Sequence, residues 1–200
     1  MPRAGLSAEL LTRSAAELAD AEGLNGVTLA ALARRFDVKA PSLYAHVVSN
    51  RDLKQRVALL ALAETAERVG EAIAGRSGRD ALDALGRAYR DYAAAHPGRH
   101  QATTLPLDDD VAIAGDGPRH ADLARAVLRS YGLAEPDETH AVRLLGATVR
   151  GWTDLELAGG FARSEPDAEE SWQRAIDGLD HVFTAWATSV TSTGPRVPAP

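Results

Sequence analysis

Residues 28–53 read TLAALARRFDVKAPSLYAHVVSNRDL. Thr28 stands where an N-cap belongs, and Leu29, Leu32, Ala33 and Phe36 follow at helical spacing, which predicts a short helix over 29–36. Asp37-Val38-Lys39 is long enough only for a turn. A second short helix, Ala40–His46, follows, with Pro41 in its first turn, where a missing N–H leaves no bond unmade. Two short helices about so tight a turn have the geometry of a helix-turn-helix. The turn must pass through left-handed backbone, normally a glycine's role, and a short polar side chain such as Asp37 tolerates that region. Leu43 and Val47 face the core. Lys39, Ala40, Pro41, Ser42, Tyr44, Ala45 and His46 face outward. In such a unit the second helix enters the major groove of DNA while the first crosses the backbone. Small residues at its start allow close approach, and Lys39, Ser42, Tyr44 and His46 can donate to phosphates or base edges.

On either side of this stretch the pattern is also helical. Ser7 caps a first helix that runs to about Glu22, with Leu10, Leu11, Ala15, Leu18 and Ala19 on one face, and Gly23–Gly26 ends it. Ser49 or Asn50 caps a long fourth helix to about Ala74. Helices are predicted over 80–96, 99–103 and 119–131, with 104–118 read as a loop between them. Pro136-Asp137 opens a helix to about Ala158, and Glu165-Pro166-Asp167 opens the last, to about Val190. Strand-like alternation is absent. The fold class is all-α, about nine helices, organised as a head over 1–49, a helical body over 50–190 and a disordered tail over 191–200.

Composition narrows the class further. The chain has 200 residues, 45% of them apolar, and no cysteine, so disulfides, thiolate metal sites and cysteine nucleophiles are excluded. No apolar run approaches the roughly 20 residues that span a bilayer, and Met1–Leu6 does not open a signal peptide. The expectation is a soluble cytoplasmic chain that meets no membrane. Its formal charge of −6 hides a split. Residues 1–56 carry eight Lys/Arg against six acids, whereas the rest of the chain carries a large acidic excess. A basic end on an acidic body suits a polyanionic partner.

Catalysis finds no support. Pro97-Gly98 separates His96 from His100 and prevents a two-histidine metal face on one regular helix. Asp108–Asp110 lacks the spacing of a calcium loop. No nucleophile–base set or phosphate-cradling glycine loop stands out. The reading is a protein that is not an enzyme and holds no metal or cofactor.

The pattern Ala16, Gly23, Thr28, Leu32-Ala33, Phe36, Val38, Ser42-Leu43-Tyr44, His46, Ser49 and Leu53 resembles the DNA-binding domain of the tetracycline-repressor (TetR) family of transcription regulators. By that resemblance Thr28, Tyr44 and His46 contact phosphate and Lys39–Ser42 face the bases. Three positions depart from the family pattern. Asp37 replaces the turn glycine, Lys39 a small polar cap, and Asn50 a lysine that opens the fourth helix against phosphate; Arg51 or Lys54 would substitute. Further on, Gly151-Trp152-Thr153-Asp154-Leu155-Glu156-Leu157 before Gly159-Gly160-Phe161 resembles a subgroup motif, with Arg150 where a histidine usually stands.

The resemblance implies a repressor released from a palindromic operator by a small-molecule effector. The effector would sit among Leu85, Tyr89, Tyr92, Leu123, Leu145, Val149 and Trp152, with His100, His140 or Arg143 as polar anchors. It also implies a homodimer through the last two helices, where Trp172, Ile176, Leu179, Phe183, Trp186 and Val190 form a stripe. Residues in such patterns are more often ordinary core and surface charge than interface or ligand contacts. A helical module that applies its basic end to a partner other than DNA would explain the charge split, but not Thr28, Tyr44 and the tight turn together.

Overall fold

The computed structural model of the protein describes residues 5–191, with the side chains of Asp110, Ile113, Ala114 and Ser189–Thr191 left out. The elements in order are α1 (Ala8–Glu22), a 3-10 turn at Leu24–Gly26, α2 (Leu29–Arg35), a 3-10 turn at Ala40–Leu43, α3 (Asn50–Ile73), α4 (Gly78–Ala95), α5 (Pro97–Ala102), α6 (Asp109–Ala114), α7 (Gly117–Leu128), a 3-10 turn at Arg129–Tyr131, α8 (Asp137–Leu157) and α9 (Ala168–Thr191). No strand occurs among the described residues. None of their helices is long and apolar enough to cross a membrane. The tail from residue 192 on, and the Val190 side chain, lie outside the described residues.

Two segments differ from the expectation. Residues 40–46 are not an α-helix but a 3-10 turn, Ala40–Leu43, followed by a further turn through His46. Ser42 N–H bonds to the Lys39 carbonyl and His46 N–H to that of Leu43, both i→i+3, and only Val47 N–H reaches back four residues, to Leu43. A piece this short forms few i→i+4 bonds, and the tighter winding is the usual form of short pieces. The second difference is that 104–118 is not one loop. Asp109–Ala114 forms α6, with acidic Asp109 in its first turn, where the helix dipole favours it, and α7 already begins at Gly117.

Packing divides the chain into two compact units. One holds the residues up to Ala66 together with Tyr92–Gly117; the other holds Glu67–Asp91 and the residues from Pro118 on. The division falls within α3 and within α4, and α5 belongs to the first unit because it packs on α1.

The first unit has an aliphatic core: Leu11, Ala15, Ala16, Ala19, Val27, Leu32, Leu43, Val47, Leu53, Val57 and Ala58 are buried together, and Ala102 of α5 joins them. Its alanines let helices approach until backbones touch. A Cβ on Gly98 would lie 1.9 Å from the Ala19 carbonyl oxygen, so only glycine fits there. A polar cluster surrounds this contact. Arg99 donates its backbone N–H to Asp20 (2.9 Å) and pairs with Glu64 (3.0 Å), while Tyr92 donates to Glu64 (2.8 Å) and His96 Nδ1 lies 3.2 Å from Asp20.

The second unit has an aromatic core. Trp172 and Phe183 are fully buried with Leu82, Leu128, Leu145 and Ile176, and Trp152, Trp186, Tyr89 and Tyr131 pack around them. Gly86 seats the Trp172 indole; a Cβ there would meet its ring at 2.1 Å. The indole N–H donates to Asp83 (3.0 Å), and Arg90 sits 4.9 Å over the ring while holding Glu156 through two hydrogen bonds. Burial alone would raise the Asp83 carboxyl, but hydrogen bonds from Arg87, Gln173 and Trp172 hold it below the ordinary carboxylate range.

Candidate nucleic-acid interface

The frame of the helix-turn-helix is built from backbone caps. Thr28 Oγ1 accepts from Ala31 N–H (3.1 Å) at the start of α2. Asn50 Oδ1 accepts from Leu29 N–H (2.8 Å), satisfying a second orphan donor of the same helix from 21 residues away. Ser49 caps α3 by accepting from Asp52 N–H (3.1 Å), and Asp52 Oδ2 reaches back to Val48 N–H (2.9 Å). This resembles a capping box with the acid shifted one residue, since Asp52 bonds the N–H of the residue before the cap; of the two caps the sequence offers, Ser49 is the one used. The turn itself is pinned at Asp37, whose φ of 51° makes it the left-handed residue in the glycine's place.

On this frame Leu43 and Val47 are buried, and the surface between them is open. Lys39, Pro41, Ser42, Tyr44 and Ala45 are exposed, whereas Ala40, His46 and Thr28 are half-buried. Tyr44 is 57% exposed and Val48 75%, which leaves a good deal of apolar surface in water. Thr28 uses an oxygen lone pair in its cap, so its hydroxyl proton is still available to an acceptor. Among the described residues Arg34, Lys39 and Lys54 have no acidic partner; Arg35 pairs with Glu17 and Arg51 with Asp108. The frame thus presents donors, small residues and cations on one short segment, the chemistry that a groove and its phosphates require.

The other candidates are distributed as follows. Leu85, Leu145 and Val149 are buried in the core of the second unit, with Tyr89, Leu123 and Trp152 packed on it. The Tyr89 hydroxyl bonds to His120, a residue that no sequence pattern singles out, and burial pushes the phenol up to about 12. Tyr92 and His100 belong to the first unit, where Tyr92 serves Glu64. His140 and Arg143 are exposed on α8. An open groove of about 350 Å³ in the second unit, lined by residues including Arg68, Arg76, Asp83, Arg87 and Asp91, takes in none of the candidates. The Trp152 indole nitrogen is buried and has no hydrogen-bond partner among the described residues.

The apolar stripe of α9 serves the chain's own core. Trp172, Ile176 and Phe183 are fully buried, Leu179 is 6% exposed and Trp186 half-buried within a single chain. Three- and four-residue spacing brings these side chains to one face, and that face lies against α4 and α8 rather than solvent. The faces left open are mixed: Gly146, Ala147 and Gly151 on α8 stand among Arg143, Arg150 and Asp154, Gly178 and Ala185 on α9 among Arg174 and His181, and Leu155 is 54% exposed.

Similarity to known proteins agrees with this geometry. Residues 82–179 match the family described as tetracyclin repressor-like, C-terminal domain. The chain is 34% identical to the uncharacterized HTH-type transcriptional regulator YobS of Bacillus subtilis over 82% of its own length and 86% of that protein. It is also 34% identical to the uncharacterized HTH-type transcriptional regulator Rv0681 of Mycobacterium tuberculosis, over 94% of this chain and 88% of that one. Among solved structures, the Streptomyces coelicolor TetR family protein ActR in complex with actinorhodin superposes with a TM-score of 0.67 at 21% identity, over 91% of this chain and 97% of that one. These relatives are regulators and not enzymes. With its capped turn, its exposed reading surface and relatives of this kind along most of its length, the chain belongs to the TetR family of helix-turn-helix transcriptional regulators.

Proposed function

We propose that the chain is a cytoplasmic, homodimeric repressor that leaves a palindromic operator when a small molecule binds. The observation that carries the DNA contact is the segment Lys39–His46, which buries Leu43 and leaves Lys39, Ser42 and Tyr44 in solvent. In this reading Lys39–Ser42 meet base edges, and Thr28, Tyr44, His46 and Lys54 meet phosphates. Two subunits are needed to set two reading segments one helical turn of DNA apart, roughly 34–36 Å. Since the stripe of α9 is taken up by the core, the dimer forms through the open faces of α8 and α9, where Gly146, Ala147, Gly151 and Gly178 lie between charged side chains and Leu155 is exposed. Small residues permit close helix approach there, and the exposed leucine supplies apolar area.

The effector belongs in the second unit. Support comes from the buried Trp152 N–H, a donor in need of an acceptor beside the rings of Phe161 and Trp172. ActR, a protein of the same fold, is known bound to actinorhodin. Whatever the ligand, it releases DNA only by binding the released form better than the bound one.

Selecting bound sequences from random duplex DNA tests this directly, and a palindrome is the expected outcome. On the selected duplex, the double variant Lys39→Ala, Tyr44→Phe is expected to bind more weakly, through a lost base contact and a lost phosphate hydrogen bond, with the salt slope reduced by at most about one for the single cation removed. Unchanged affinity and slope would reject the assigned surface.

A further inference from the structure

Arg51 occupies the first turn of α3, next to the capping residues Ser49 and Asn50, and in the proposed DNA complex it is a candidate for a phosphate contact. It is already engaged. Its Nη2 lies 2.5 Å from Asp108 Oδ1 and its Nε 3.4 Å from Asp108 Oδ2, a two-point contact of the form a guanidinium makes with phosphate. The acid arrives on an anchored segment. Ala102 is buried in the core of the first unit, and Leu105 and Leu107 pack on that core. Beyond it, Gly115 closes on Leu59 so tightly that a Cβ would lie 2.7 Å from the leucine methyl. Asp108 is therefore delivered to Arg51 by the packing on either side of it. The pair remains open to water, with 62% and 48% of the two side chains exposed. Exposed pairs are weak and readily exchanged.

We propose that Asp108 is a built-in stand-in for a DNA phosphate, so that duplex binding must displace it from Arg51. The proposal rests on the DNA-binding reading and adds a regulatory element to it. By linkage, whatever fixes the segment 102–108 in place weakens DNA binding, and DNA binding loosens that segment to the same degree. The hydrogen bond from Arg51 holds the Asp108 carboxyl below the usual carboxylate range, so the acid competes in its charged form at neutral pH. Lys54, less than one helical turn further along α3 and without an acidic partner among the described residues, has no such competitor.

The test measures full-chain affinity for the selected duplex by fluorescence anisotropy at fixed ionic strength. Asp108→Asn is expected to tighten binding about two- to five-fold, the range set by an exposed ion pair. Asp108→Ser gives the same gain, and Asp109→Asn, which removes the same charge from the exposed neighbour, gives less than half of it. In an Arg51→Ala background the gain from Asp108→Asn disappears. An equal gain from Asp109→Asn, a gain that survives Arg51→Ala, or no gain at all overturns the proposal while wild-type binding upholds the DNA reading. If the wild-type chain binds no duplex, that reading falls and takes this inference with it.

Discussion

The two units hold their helices together with different cores, although each also carries an ion-pair cluster, Arg99 with Asp20 and Glu64 in the first and Arg90 with Glu156 and Glu169 in the second. The first uses small aliphatic side chains and backbone contact: alanines on α1, the Gly98–Ala19 approach, and caps from Thr28, Ser49 and Asn50 that commit polar groups to peptide N–H. The second uses rings and charges: a buried indole held by Asp83, stacked under Arg90, with Arg79 and Arg87 tied to acids of α9. The difference suits different tasks. A surface that must fit a groove needs a frame with little freedom, and close backbone contact leaves little. Among the rings of the second unit the Trp152 N–H is left without a partner, a donor that a ligand can exploit.

Three substitutions put this contrast at risk. Trp172→Ala removes the ring that organises the second unit and is expected to cost about 3–5 kcal/mol in denaturant unfolding. Amide exchange should show protection falling first in α4, α8 and α9; an equal fall throughout the first unit would merge the two into one cooperative body. Gly98→Ala forces a methyl into the Ala19 carbonyl and is expected to cost about 1–3 kcal/mol, with protection falling first in α1 and α5. A neutral result would mean that the backbone contact is slack and the contrast false. Asp37→Gly relieves a left-handed L-residue and is expected to gain less than about 1 kcal/mol in thermal unfolding. A drop in stability would assign the Asp37 side chain a stabilising contact of its own.

Much of the first unit was legible in its residues because its signals are local. Thr28 and Ser7 cap as their positions indicate, and Asp37 takes the left-handed turn. Local rules failed at Ala40–His46, where shortness favoured 3-10 winding, and at Asp109–Ala114, a single helical turn and a half hidden among glycines and prolines. The remaining misses are long-range. Nothing in sequence order couples Asn50 to Leu29, Asp108 to Arg51, or Tyr89 to His120, since those partners meet only after the helices pack. The α9 stripe shows the limit from the other side: an apolar face is plain in the periodicity, but what covers it is a tertiary fact.

The bond from Leu29 N–H to Asn50 closes the reading segment into a bracket whose two ends are joined independently of the residues between them. Leu43 and Val47 anchor the interior of that bracket, and the outward positions carry no part of its scaffolding. Under the proposed DNA contact, new operator preferences would arise by exchanging the exposed base-facing residues Lys39, Pro41 and Ser42 while that scaffold is left unchanged. On that proposal, recognition would be a removable cassette, free to diverge while the rest of the chain stands still.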